Sequence, residues 1–92
     1  MAIKVKFLSS LKSITGTGLV ELPSTLDTVE KVMDELLRMY PQLKDEMFYP
    51  DGTIDYIYHL ILNGRRLSWP DDKNLRVKNG DELMLLVFMA GG

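Results

Sequence analysis

An α+β domain, with one helix laid against a mixed sheet, is what the sequence predicts, and three observations carry it. Residues 2–8 alternate apolar and polar with period 2. Val29, Val32, Met33, Leu36, Leu37 and Tyr40 recur at helical spacing. The segment from Glu82 to Met89 is apolar on alternate and intervening positions alike, as a strand covered on both faces would be.

Ile3, Val5 and Phe7 share one face of the first strand, and Lys4, Lys6 and Leu8 the other. Ser9 to Gly18, rich in Ser, Thr and Gly, reads as a turn. Leu19 to Leu22 is a second strand that Pro23 ends, so the pair forms a hairpin. The helix is expected over 28–40. Asp27 is placed to cap its first turn, Glu30 completes a capping-box-like pair three residues on, and Pro41 blocks continuation.

Residues 41–55 read as a loop with a turn at Pro50-Asp51-Gly52, pinned to the domain by Met47, Phe48 and Tyr49. Ile57 to Leu62 is a strand, and the short-turn dipeptide Asn63-Gly64 folds Arg65 to Leu67 back onto it. A polar connector with a helical turn near Asp72 to Leu75 leads to a second tight turn, Asn79-Gly80. The last strand, the most hydrophobic, belongs in the middle of the sheet beside the first. No internal repeat or domain boundary interrupts the chain, which reads as a single domain over 1–92 with a flexible tail, 89–92.

Composition narrows the function. With 11 basic and 13 acidic side chains the net charge is −2, which does not suit a nucleic-acid binder. The chain has no cysteine, so disulfides, thiolate metal sites and cysteine nucleophiles of its own are excluded. Neither the N-terminal Met-Ala-Ile-Lys-Val-Lys nor any apolar run resembles a signal peptide or a span of about 18 residues, so no membrane partner and a cytoplasmic location are expected. One histidine, His59, and the acidic pairs Asp71-Asp72 and Asp81-Glu82 are the available ligands. These pairs read as solvated turns or caps, and no metal site is expected. Residues 27–55 are acidic in balance and residues 65–78 basic, a pattern that serves solubility or orients the chain on partners.

The last strand poses a question of coverage. Leu83, Leu85 and Val87 fall on one face and Met84, Leu86 and Phe88 on the other, but one helix covers only one face. The helix is expected over Ile3, Val5, Phe7, Leu83, Leu85 and Val87, which leaves Met84, Leu86 and Phe88 beside Leu8 as an apolar patch. Either a partner protein or the 41–55 loop covers it. His59, on a face with Ile57 and Ile61, edges that surface. Beyond it lie Met89-Ala90-Gly91-Gly92, which add about 13 Å of reach when extended. The two glycines, lacking Cβ, suit a narrow channel.

Taken together, the Ile3-Lys4-Val5-Lys6-Phe7 strand, the capped helix from Thr28, the Leu62-Asn63-Gly64 turn, the Gly80-Asp81-Glu82-Leu83 strand entry and Gly91-Gly92 resemble the ubiquitin-like β-grasp sulfur carriers. The resemblance is strongest to the small subunit of molybdopterin synthase, with the thiamine-pathway carrier a relative. It implies a carrier, not a catalyst. An E1-like adenylating enzyme would use ATP and magnesium to activate the Gly92 carboxylate, and a persulfide protein would supply sulfur to give a thiocarboxylate. The loaded tail of Met89, Ala90, Gly91 and Gly92 would then enter the large catalytic subunit of molybdopterin synthase. The carrier itself would bind no cofactor. The resemblance also places Leu8, Leu67 and Leu86 at the partner interface, to which the alternation adds Met84 and Phe88. Other acceptors in such families are the thiamine precursor, tRNA and, for protein modifiers, lysine. Phe88-Met89-Ala90 stands where molybdopterin members often have an aromatic followed by prolines, while the long 41–55 segment fits them better than thiamine carriers.

Overall fold

The computed structural model describes residues 1–88. Its elements are β1 (Ala2–Phe7), α1 (Ser10–Thr15), β2 (Leu19–Pro23), α2 (Val29–Met39), α3 (Gln42–Met47), β3 (Tyr58–Leu62), β4 (Arg65–Leu67) and β5 (Glu82–Val87). The five strands form one sheet in the order β2-β1-β5-β3-β4. β5 runs parallel to β1 and antiparallel to β3, so the most apolar strand is central, as expected, and the sheet is mixed. This is the ubiquitin-like β-grasp.

One layer of side chains sits between sheet and helices. Ile3, Val5, Phe7, Leu22, Leu60, Leu83 and Leu85 meet Val29, Val32, Met33 and Leu36 of α2 in a single cluster. Phe7 also meets Tyr40 edge-on, with ring centroids 5.7 Å apart. Burying each such side chain is worth roughly 1.5–3 kcal/mol, which is why the helical stripe and the alternating strand faces select one another.

Local chemistry sets the joins. Asn63 and Gly64 both take positive φ, 50° and 85°, the geometry that matches a two-residue turn to the twist of β3 and β4. Asp81, buried at the start of β5, accepts from the Asn63 side-chain amide at 3.0 Å and from Lys78 N–H at 2.8 Å, which locks this turn to the next. The 73–77 connector laces to the start of α2 through Val29 N–H to Leu75 C=O, Glu30 N–H to Lys73 C=O and Val77 N–H to Asp27 C=O.

Several expectations are corrected. Ser9–Gly18 is more than a turn: Ser9 takes φ 59°, and α1 follows, burying Leu11. Residues 41–55 hold α3, whose Leu43 and Met47 are fully buried, because Pro41 ends α2 but its fixed φ also suits a helix start. The cap of α2 is Thr28, whose hydroxyl accepts from Lys31 N–H at 3.2 Å. Asp27 instead pairs with Lys31 at 3.0 Å and Arg76 at 2.8 Å, both of which hold its carboxyl below the usual range, and Glu30 faces Lys73 at 3.5 Å. The helix spans Val29–Met39 and not 28–40, β3 starts at Tyr58, and β5 ends at Val87. The helical turn expected near Asp72 to Leu75 does form, as one of successive turns in the 68–75 connector, with Leu75 N–H donating to the Asp72 carbonyl at 3.1 Å.

Candidate functional site

The register assigns each strand residue to a face. Lys6 and Ile61 flank Met84 on either side, His59 lies opposite Leu86, and Leu19 lies opposite Lys6. Residues paired across a sheet share a face. Met84, Leu86 and Phe88 are therefore joined by Leu8, His59, Ile61 and Leu19 on the side away from the helices. α3 packs with α1 and α2, its Leu43 and Met47 in the core, so the 41–55 segment goes to the helical side of the sheet. Of the two covers weighed for the apolar patch, the chain's own loop is thus not the one used.

Exposure varies along this face. Phe88 is 60% exposed and Leu8 40%, whereas Met84 and Leu86 are half-buried by their neighbours. Charges share this face: Lys6, between Leu19 and Met84, has its Nζ 3.3 Å from Glu82 Oε2, and Arg66, opposite Ile61, stands at the β4 edge. His59 lies within the apolar patch. Its pKa is pushed below the ordinary 6.5 by desolvation and, to a lesser degree, by Arg66. Its ring lies 5.6 Å from that of Phe88, tilted by 32°.

Four of the five expected interface residues come together here: Leu8, Met84, Leu86 and Phe88. Leu67 does not. It pairs with Leu60, whose face is the core face, and is only 6% exposed, so its expected partner contact is corrected to a core role. In a three-residue strand, alternation is too short to tell which face a leucine takes. Ile61, expected on the face of His59 that edges the patch, lies opposite Met84 within it, and Leu19, missed as a member, follows from the alternation of its own strand once the register is known.

Phe88 is the last described residue. Its N–H donates to the Ile57 carbonyl at 2.7 Å, one step beyond the last ladder pair, Tyr58 opposite Val87. The chain therefore leaves the middle of the sheet beside the apolar face. Met89, Ala90, Gly91 and Gly92, expected to form the carrier tail, lie outside the described residues. Among the described residues no three His, Asp or Glu side chains cluster to hold a metal ion, and no helix is long and apolar enough to cross a membrane. Asp72 accepts from Ser68 N–H at 2.8 Å, and Asp81 is engaged as above, so both acidic pairs contribute to turns.

Known proteins match this arrangement. The model of the ThiS family matches residues 5–92. A protein of Archaeoglobus fulgidus, named as a candidate sulfur carrier, is 25% identical over 92 residues, covering 100% of both chains. Among solved structures, SAMP1 of Haloferax volcanii superposes with a TM-score of 0.83 at 25% identity, covering 100% of each chain. A candidate subunit 1 of the molybdopterin converting factor from Pyrococcus furiosus superposes at 0.69 with 22% identity, covering 97% of this chain and 99% of that one, and shows the shared fold. With nearly its whole length matched, the chain belongs to the ThiS family of ubiquitin-like sulfur carriers.

Proposed function

We propose that the chain carries sulfur on its Gly92 carboxylate as the small subunit of a molybdopterin synthase. The observation that carries the reading is that Phe88, four residues before Gly92, ends the central strand at the rim of an apolar face that no element of the described residues covers. Such a face docks the body while the tail reaches a partner's active centre. A carboxylate is a poor electrophile, so activation comes first: its oxygen attacks the α-phosphorus of ATP on an E1-like enzyme and pyrophosphate leaves. The terminal sulfur of a protein persulfide then attacks the acyl carbon and AMP departs. A second thiol reduces the resulting acyl disulfide, leaving the thiocarboxylate. Both thiols belong to partners, since this chain has none. The likeness to the molybdopterin converting factor subunit, together with the long 41–55 segment, supports this acceptor.

The likeness to SAMP1, a small archaeal modifier protein, favours a second outcome in which the same activated Gly92 is passed to a lysine amine. Incubation with the activating enzyme, ATP, persulfide and thiol is expected to raise the intact mass by the difference between sulfur and oxygen. An unchanged mass with a competent activator refutes the carrier reading. The loaded protein is then offered a large subunit with the cyclic pyranopterin precursor; in a separate reaction the unloaded protein is incubated with the activating enzyme, ATP and a lysine-bearing protein, so that the amine attacks the acyl adenylate and AMP leaves. Dithiolene formation supports the first acceptor, and isopeptide conjugates the second.

A further inference from the structure

We infer that His59 is a positioning residue that acts through Phe88 to set the direction in which the carrier tail leaves the sheet. The inference rests on the carrier reading above. At the end of β5 the support is one-sided. On the β1 side the ladder stops at Phe7 opposite Leu85, with one further bond from Leu8 N–H to the Leu85 carbonyl at 3.0 Å, before Ser9 turns the chain into α1. On the β3 side Phe88 is held twice. Its N–H meets the Ile57 carbonyl at 2.7 Å, and its ring lies diagonally over His59, which is itself opposite Leu86.

A backbone bond at an exposed strand end opens readily unless side chains hold it. His59 supplies that hold with a flat ring 5.6 Å from the Phe88 centroid, close to the offset-stacked range. Desolvation of the ring disfavours its charged form, which suits a contact with the apolar Phe88 ring. An aliphatic residue here would keep the strand but lose the flat contact. A loosened Phe88 would fix the end of the central strand less firmly, so fewer encounters would be productive at a reacting centre.

Two variants separate this from packing or docking. His59→Val keeps strand propensity and removes the ring, and His59→Tyr restores a ring. In the free protein, amide exchange at Phe88 read by NMR is expected to speed by about tenfold in His59→Val, with Leu60 and Leu85 unchanged, and to return towards wild type in His59→Tyr. With the adenylating enzyme and ATP, pyrophosphate release is expected to show kcat lowered about tenfold in His59→Val with KM for the carrier nearly constant, and again restored in His59→Tyr. Equal Phe88 exchange in wild type and His59→Val overturns the inference. So does a rise in KM with kcat unmoved, the mark of a docking residue. If wild type itself elicits no pyrophosphate, the carrier reading fails, while the exchange rates still decide the anchor.

Discussion

Leu85 and Leu86 are neighbours in one strand, yet Leu85 is fully buried beneath α2 and its companions while Leu86 lies half-buried on a face that no element of the described chain covers. The inner face is closed by a helix whose stripe matches it; the outer face sets apolar side chains beside Lys6, Glu82 and Arg66. One strand thus does two jobs through its pleat. Stability is concentrated at Ile3, Val5, Phe7, Leu83 and Leu85, and the docking surface proposed above at Leu8, Met84, Leu86 and Phe88. On that proposal the docking surface can be mutated without unfolding the protein, which is open to direct test.

The largest contrast is expected between two truncations. Leu85→Ala should cost about 2–5 kcal/mol in urea unfolding, because the cavity is enclosed. Leu86→Ala, one residue on, should cost about 1 kcal/mol or less and fall mainly on complex formation. Similar losses for the two would break the distinction between the faces. A smaller effect tests the cover of the inner face. Thr28→Ala removes the hydroxyl that accepts from Lys31 N–H and should destabilise by about 1 kcal/mol, shifting the denaturation midpoint with no change in m. A null result would mean that packing alone holds the first turn of α2.

The smallest effect belongs to the outer face. His59 has a folded pKa below 6.5, so as pH falls through about 6.5 the unfolded chain takes up a proton that the folded chain resists. Stability is therefore lost on acidification from near 6.5 down to the lowered folded value, and no further loss from this group follows below it. Subtracting the pH profile of His59→Tyr from that of wild type should isolate a shallow slope in this window. The slope should be modest, since the imidazole lies near the surface. A slope of opposite sign would mean that the patch stabilises the imidazolium.

Much of this was legible from local pattern. The stripe from Val29 to Tyr40, the alternation of residues 2–8 and the Asn63-Gly64 turn each express a period or a dihedral requirement within a few residues, and each element stands where it was expected. Short elements were not legible. α1 and α3 are six residues each, too brief to show helical period, and they form because Leu11, Leu43 and Met47 have core to enter. The cap was misassigned by one residue because Asp27 and Thr28 both suit the role, and the choice follows from where Lys31 and Arg76 lie.

By itself the sequence determined the class, an amphipathic helix over a sheet with a doubly apolar final strand. Periodicity and residue type are properties of neighbours along the chain, and nothing further is needed to read them. Only the tertiary structure decided that Leu67 is core, that Leu19 joins the outer face, and that His59 lies against Phe88. These depend on strand register across residues far apart in sequence, which is set by packing of the whole core and which no local pattern encodes.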